Sequence, residues 1–338
     1  MRKKRIIAYN RVEKPVLEEL KRKYDVTFFK NINTKTDKAF LNVLEKTEGI
    51  IGLELEVDKE LLENAPHLKI VSNVSVGYNN LDVEELTKRN IMATNTPDVL
   101  TDTVADTVFG LILATARRIP ELDHFVKSKH WNEAIESEHY GIDVHHKTVG
   151  IIGMGRIGHA IAQRANLGFN MKVLYHSRTK KPEAEAKYNA TYCHLDDLLK
   201  QSDFVVLMTP LTEETNGLMG RREFQLMKKS AILINGSRGK VVIEKELIEA
   251  LKRGEIAAAG LDVFEKEPIE HDNPLLPMKN VVTLPHIGSS THETELKMSE
   301  RAAKNLVSGL NGEKPLNLIN PVVWKNIEAE KSNKVIET

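Results

Sequence analysis

Gly153-Met154-Gly155-Arg156-Ile157-Gly158 follows directly on the apolar run Val149–Ile152 and opens an amphipathic stretch. A G-x-G-x-x-G segment standing alone is weak evidence, and its plainer meaning is a tight turn that binds nothing. Between a strand-like run and a helix-like one it becomes specific for a dinucleotide-binding α/β unit. The first glycine permits the turn, the second lets the backbone approach a pyrophosphate, and the third lets helix pack on strand. Free N–H groups at the helix start then face the anion. Gly153, Gly155, Arg156, Ile157 and Gly158 are the expected phosphate-binding residues.

The rest of the chain fits that frame. Strand-like pieces Arg5–Asn10, Asp25–Phe29, Gly49–Leu53 and Leu68–Val74 alternate with helical patterns such as Pro15–Lys23. Such alternation implies a parallel sheet with helical crossovers. After Thr96-Pro97-Asp98 a long helix is predicted from about Thr101 to Arg117, with Val104, Val108, Leu111 and Ile112 at helical spacing. A second alternating series starts at Thr148, with strands at Thr148–Gly153, Lys172–Tyr175, Ala190–Cys193 and Phe204–Met208 and three more further on. Ser290-Thr291-His292-Glu293 reads as a capping box for a helix that stops at Asn311-Gly312. The polar residues from Glu328 to the end are expected to fray.

The strand after the glycine loop bears on which dinucleotide is bound. An NAD site expects Asp or Glu about twenty residues on, accepting hydrogen bonds from the ribose. Here Val173-Leu174-Tyr175 runs into His176-Ser177-Arg178-Thr179-Lys180, with no carboxylate. A hydroxyl, a guanidinium and further basic residues suit a 2′-phosphate. Ser177, Arg178 and Thr179 are therefore assigned to it, and NADP(H) is the preferred cofactor, with NAD(H) as the alternative.

Three late apolar runs each end in a polar residue. Ala231–Ile234 leads to Arg238, Ala257–Leu261 to Glu267, and Val281–Leu284 to His286. If the runs are parallel strands, the three residues gather at the carboxyl edge of one sheet, where open α/β sheets bind ligands. An arginine, a carboxylate and a histidine suit holding an anionic substrate and moving a proton on it. Singly, each has an ordinary explanation as a surface charge, a loop acid or a core histidine. Jointly, behind a dinucleotide loop, they form a candidate catalytic set.

Composition removes other classes. Lysine plus arginine balance aspartate plus glutamate at 48 each, leaving no net field to draw nucleic acid or an anionic membrane. The basic opening Arg2-Lys3-Lys4-Arg5 is followed by too short an apolar stretch for a signal peptide. No apolar run is long enough to span a bilayer. The single cysteine, Cys193, fits a reducing cytoplasm and is expected to be buried and inert on a strand. The segment Ile119–Lys147 carries Trp131, Tyr140 and His124, His130, His139, His145 and His146. Its histidines match no compact metal-ligand spacing, so it is read as an irregular, solvated or subunit-contacting segment with no metal.

With Gly153–Gly158, Asn235-Gly236-Ser237-Arg238-Gly239, Asp262–Pro268 and Pro285-His286-Ile287-Gly288 assembled, the chain resembles the D-isomer-specific 2-hydroxyacid dehydrogenases over nearly its whole length. Asn73–Asn80, Asp143–Thr148 and His286–Thr294 are similar to the bacterial glyoxylate/hydroxypyruvate reductases of that family that also act as 2-ketogluconate reductases. The resemblance implies two Rossmann-like or flavodoxin-like α/β domains with parallel sheets. A discontinuous substrate domain (1–98 with 290–327) would receive the cofactor domain (99–289) as an insertion, leaving 328–338 as a polar tail. It also implies an active site in the cleft, a homodimer joined through an arm like Ile119–Lys147, and reduction of 2-oxo acids such as glyoxylate, hydroxypyruvate or 2-ketogluconate to D-2-hydroxy acids. In that scheme His286 gives a proton to the C2 carbonyl oxygen, Glu267 orients the imidazole, and Arg238 holds the carboxylate and carbonyl. The N–H groups of Val76 and Gly77 complete the carboxylate site. Thr209, Pro210 and Asp262 line the nicotinamide end, and Thr215, Gly236, Ser237 and Gly288 join the cofactor contacts. Phosphoglycerate- and phosphite-type dehydrogenases of the same family, and a non-catalytic dinucleotide sensor, are the competing readings.

Overall fold

The computed structural model describes residues 2–336. It divides into two compact units, one built from the chain up to Leu100 together with the chain from Thr291 on, the other from Thr101–Ser290.

In the first unit the strands are β1 (Arg5–Tyr9), β2 (Asp25–Phe29), β3 (Gly49–Gly52), β4 (Ile70–Asn73) and β5 (Met92–Thr94). They form one sheet in the order β2-β1-β3-β4-β5, every pairing parallel. β3 and β4 are buried along their whole length, as expected of central strands covered on both faces. The order reverses between β1 and β3, and such a switch point opens a crevice beyond the strand ends. The helix His292–Leu310 returns to this sheet: Ser72 Oγ donates to the Ala302 carbonyl at 2.7 Å. At Gly309 a Cβ would lie 2.5 Å from Ile70 Cδ1, so the helix seats closely on β4 there.

In the second unit the strands are β6 (Thr148–Ile152), β7 (Lys172–His176), β8 (Thr191–Tyr192), β9 (Phe204–Leu207), β10 (Ile232–Asn235), β11 (Ala258–Leu261) and β12 (Val281–Thr283). Their order is β12-β11-β10-β9-β6-β7-β8, again all parallel. This is the doubly wound dinucleotide-binding order with one further strand at β12, and its switch point lies between β6 and β9. Leu207, Leu233 and Leu261 sit on successive strands within one buried cluster. The helix Thr101–Ala116 buries Val104, Val108, Leu111 and Ile112, the face read from its spacing. It lies tight on β10 and β11, because a Cβ at Gly236 would meet Val108 Cγ2 at 2.7 Å and one at Gly260 would meet Thr115 Oγ1 at 2.8 Å.

The structure corrects several local expectations. The segment from Ile119 is not irregular at its start: after Arg118, at φ 55°, a helix runs over Ile119–Lys127. Thr291 rather than Ser290 caps the helix His292–Leu310, its hydroxyl accepting the Thr294 N–H at 3.2 Å. Cys193, expected to be buried on a strand, is half-buried one residue beyond β8, yet its N–H still donates to Tyr175 O, and burial pushes its thiol up. Most of the segment expected to fray from Glu328 belongs to the helix Pro321–Ile336, and residues 337–338 lie outside the described part. Among the described residues no helix is long and apolar enough to cross a membrane.

Candidate active site

The glycine loop assigns its three glycines distinct duties. Gly153 has φ 107°, and a Cβ there would lie 2.4 Å from Met208 O. A Cβ on Gly158 would lie 2.3 Å from Gly153 O, so the first turn of helix Arg156–Gln163 packs directly on the turn that precedes it. Around Gly155 the situation is opposite: a Cβ would meet no protein atom within 4 Å. Open space therefore stands over the helix start. That helix has no side-chain cap and no acidic residue in its first turn, so its positive end suits an anion. Arg156 is exposed and Ile157 half-buried beside them. These features fit a dinucleotide pyrophosphate.

Beyond β7, Arg178 and Thr179 are exposed, and Ser177 Oγ donates to the Thr179 carbonyl at 2.7 Å. No carboxylate-bearing residue occupies positions 176–181. Beyond β9, Thr215 Oγ1 donates to Pro210 O at 2.6 Å and accepts the Thr212 N–H at 2.8 Å. Thr209 Oγ1 donates to Pro210 O at 3.3 Å. Thr209 and Thr215 thus shape their own loop.

The three polar residues of the late strands do come from neighbouring strand ends. β10, β11 and β12 are adjacent and parallel, with Asn235 opposite Leu261 and Leu261 opposite Thr283. Arg238 follows a turn built by Asn235, a residue not singled out from the sequence. Its buried side chain accepts the Ser237 N–H (3.1 Å) and hydroxyl (3.0 Å) and donates to Arg238 O (3.1 Å). An asparagine between a strand end and a glycine is the available signal for such an Asx turn. It also means that Ser237, expected among the cofactor contacts, is buried with its hydroxyl bonded to Asn235. The next residue, Gly239, crosses beneath Phe264, where a Cβ would lie 1.8 Å from the Phe264 carbonyl. That crossing brings the Arg238 backbone against the loop that carries Glu267.

Glu267 Oε1 accepts the Phe264 N–H at 3.0 Å, and Oε2 lies 2.7 Å from His286 Nδ1. Burial by itself would lift the Glu267 carboxyl. The bonds from His286 and Phe264, with the charges of His286 and Arg238, hold it below the usual glutamate value. Burial pushes the Arg238 guanidinium down, and the negative charge of Glu267 works against that shift. Arg238 Nη1 donates to Ser237 O at 2.6 Å. The His286 side chain remains 48% exposed, so its ring is reachable from solvent on the side away from Glu267.

His286 also sits at φ 54°, in the left-handed region that costs a side-chain-bearing residue roughly 1–3 kcal/mol. The adjoining backbone is clamped by Asp262, whose two carboxylate oxygens accept the Ile287 and Gly288 N–H groups, each at 2.8 Å. A Cβ on Gly288 would lie 3.0 Å from Asp262 Oδ2. Burial raises the Asp262 carboxyl above the usual aspartate range, against those two bonds and the charge of His286. Asp262 and Gly288, both expected at the cofactor, are thus seen bonded to one another.

In the first unit, the loop after β4 is held by side chains of its own. Asn73 Nδ2 donates to Gly77 O at 2.8 Å, and Asn95 Nδ2 donates to Val76 O at 2.9 Å. With both carbonyls engaged, the Val76 and Gly77 N–H groups make no hydrogen bond to the protein among the described residues. They are suited to an anion. No group of three or more His, Cys, Asp or Glu able to hold a metal ion occurs among the described residues.

A doubly wound sheet with an open glycine loop at its switch point, and an arginine, a glutamate and a histidine at the ends of three further strands, defines a nicotinamide-dinucleotide-dependent oxidoreductase. Comparison with known proteins narrows this. Residues 109–288 match the NAD-binding domain of the D-isomer-specific 2-hydroxyacid dehydrogenases. The chain is 50% identical over 320 residues to glyoxylate/hydroxypyruvate reductase B of Escherichia fergusonii, covering 95% of this chain and 99% of that one. A crystal structure from Thermus thermophilus superposes with a TM-score of 0.86 at 38% identity, covering 93% and 99% of the two chains. The NADPH-dependent glyoxylate/hydroxypyruvate reductase of Sinorhizobium meliloti, solved with NADP and malonate, gives 0.85 at 32% identity, covering 94% and 97%. The chain belongs to the D-isomer-specific 2-hydroxyacid dehydrogenase family.

Proposed function

We propose that this enzyme reduces short 2-oxo acids, glyoxylate and hydroxypyruvate first among them, to D-2-hydroxy acids, with NADPH as the preferred cofactor. The observation that carries the reading is the 2.7 Å pair of Glu267 and His286 with Arg238 beside it, in a unit that also holds the open glycine loop. The names of the relatives support the substrate class. The basic, acid-free segment Ser177–Lys181 supports NADPH.

When bound, the reduced nicotinamide supplies the hydride that C2 of the substrate accepts. Arg238 offers two parallel donors to the substrate carboxylate and carbonyl, fixing its plane and stabilising the negative charge that grows on oxygen. His286, held at Nδ1 by Glu267, gives its Nε2 proton to that oxygen, which becomes the product hydroxyl. The Glu267 carboxylate fixes the ring orientation through Nδ1. In the oxidative direction the same nitrogen takes the proton back. In the other unit, the Val76 and Gly77 N–H groups suit the same carboxylate chemistry. 2-Ketogluconate belongs on the substrate panel, since the sequence resemblance extends to reductases that accept it.

We also propose a homodimer, supported by the exposed Ile119, Val126, Trp131, Ile135 and Tyr140 along one segment. Sedimentation of the purified protein checks it.

The deciding experiment is oxidation of NADPH and of NADH by purified protein given glyoxylate, hydroxypyruvate, 2-ketogluconate, pyruvate and 3-phosphohydroxypyruvate. Turnover of the first two with a higher kcat/KM for NADPH is expected. Cofactor binding without turnover on any of them would instead make the protein a dinucleotide sensor.

A further inference from the structure

The loop Ser177–Lys181 is folded back on the strand that delivers it. Tyr175, in β7, is fully buried, and its hydroxyl reaches forward to accept the Lys181 N–H at 2.7 Å. The same hydroxyl donates to Glu185 Oε1 at 2.7 Å, on the helix Pro182–Tyr188. Between these points Ser177 Oγ donates to Thr179 O at 2.7 Å. Lys180 Nζ lies 5.7 Å from the centroid of the Tyr192 ring, against which the His176 ring stacks at 6.2 Å. Arg178 makes no hydrogen bond or ion pair among the described residues. One buried phenol therefore closes the loop, tying its far end to its near end and to the following helix, while the guanidinium at its tip, whose charge reaches Glu214, makes no hydrogen bond to hold it.

Burial raises the Tyr175 phenol, the Lys181 N–H works against that, and the neighbouring Glu185 carboxylate raises it again. The hydroxyl accordingly keeps the proton it gives to Glu185 and stays an acceptor for Lys181. A phosphate gains most from donors already held in place, because each side chain or loop residue ordered on binding subtracts from affinity.

We propose that Tyr175 and Glu185 are positioning residues that set the cofactor specificity of this enzyme by holding the Ser177–Lys181 loop in the shape that receives the 2′-phosphate of NADP(H). The inference rests on the NADPH preference proposed above and adds the device that makes it. A purely structural tie would affect both cofactors alike. A positioning role touches the one that carries the extra phosphate.

The test is calorimetric titration of the full-length protein with NADP+ and with NAD+. Tyr175→Phe keeps the buried ring and removes the hydroxyl. It is expected to weaken NADP+ binding about tenfold, the scale of one hydrogen-bonded anchor, and to leave NAD+ within about twofold. Glu185→Ala should shift NADP+ in the same direction, and Glu185→Gln, which still accepts from the phenol, should restore binding close to wild type. In the protein without cofactor, amide exchange at Lys181 should accelerate in Tyr175→Phe. Equal weakening of both cofactors, or unchanged NADP+ affinity, overturns the proposal. Arg178→Ala separates it from the reading beneath it. If Arg178→Ala abolishes the NADP+ preference while Tyr175→Phe keeps it, the positioning role alone falls. A wild-type protein that binds NAD+ as tightly as NADP+ removes both.

Discussion

The carboxylate of Glu267 bridges the Phe264 N–H and His286 Nδ1, at 3.0 Å and 2.7 Å, so the imidazole is oriented by a group that is itself fixed to backbone. The ring carries its other nitrogen on the exposed side. A histidine held this way has one proton position facing the protein and one facing out, which is the arrangement a proton donor needs.

Replacing His286 by Ala is expected to lower kcat for hydroxypyruvate reduction about 10²–10⁴-fold, the scale of a positioned general acid. Affinity for the dinucleotide should stay near wild type. Steady-state kinetics with cofactor titration check both, and a variant that keeps a tenth of its turnover counts against the assignment.

Arg238→Lys keeps the charge and loses the planar fork. Turnover should fall about 10²-fold or more, the scale of losing an oriented donor at a developing oxyanion, and KM for the 2-oxo acid should rise. A wild-type KM in this variant would separate Arg238 from the substrate.

Glu267 gives a pH signature. Its folded value lies below the ordinary glutamate value because the bonds from His286 and Phe264 outweigh burial. A carboxylate depressed on folding adds stability that is fully present above the unfolded value, about 4.3, and lost as pH falls through the lower folded value. In urea unfolding, the advantage of wild type over Glu267→Gln should hold steady from neutral pH to about pH 5 and shrink below about 4.3. An advantage that stays flat to pH 3 would show that the carboxylate is not depressed.

Asp262 was read from the sequence as a nicotinamide contact, and the structure adds a reason to test it without cofactor. Its two oxygens cap the Ile287 and Gly288 N–H groups beside the left-handed His286. Asp262→Asn can satisfy only one of them with its single carbonyl oxygen. The orphaned N–H should cost roughly 1–3 kcal/mol, read as a lower urea midpoint for the unliganded protein, together with a fall in kcat. Unchanged apo stability would return Asp262 to a role exercised through the cofactor alone.

What the sequence made legible follows physical periodicity. Apolar runs at strand length, such as 231–234 and Ala258–Leu261, are buried on both faces, so their hydrophobicity alone marks them. The residues beyond their ends were findable because a strand end is where a polar residue escapes burial. Asn235, quoted in a motif, was given no role of its own because its work is turn geometry within three residues, and Tyr175 none because a buried aromatic in a strand reads as core. Spacing sets the place of Ser237 in the turn, while the direction of its hydroxyl depends on Asn235. The helix Ile119–Lys127 stands at the start of a segment read as irregular from its charged and aromatic character, although Ile119, Leu122 and Val126 recur along it at helical spacing.

The glycine loop offers a pair of substitutions with opposite expectations. A methyl group at Gly158 would lie 2.3 Å from Gly153 O, backbone that cannot give way without moving the turn. Gly158→Ala should therefore destabilise the unliganded protein by more than about 2 kcal/mol, as overpacking against fixed atoms does. A methyl group at Gly155 meets no protein atom within 4 Å, and its φ of −85° is open to any residue. Gly155→Ala should cost the apo fold no more than about 1 kcal/mol, the difference between glycine and alanine at a helix N-cap. The space it fills is the approach to the helix start, so dinucleotide binding should weaken at least tenfold, for NADP+ and NAD+ alike. Thermal unfolding of both variants, each followed by titration with the two cofactors, checks the pair. If Gly155→Ala binds both as wild type does, the open space above that helix is not where the pyrophosphate lies.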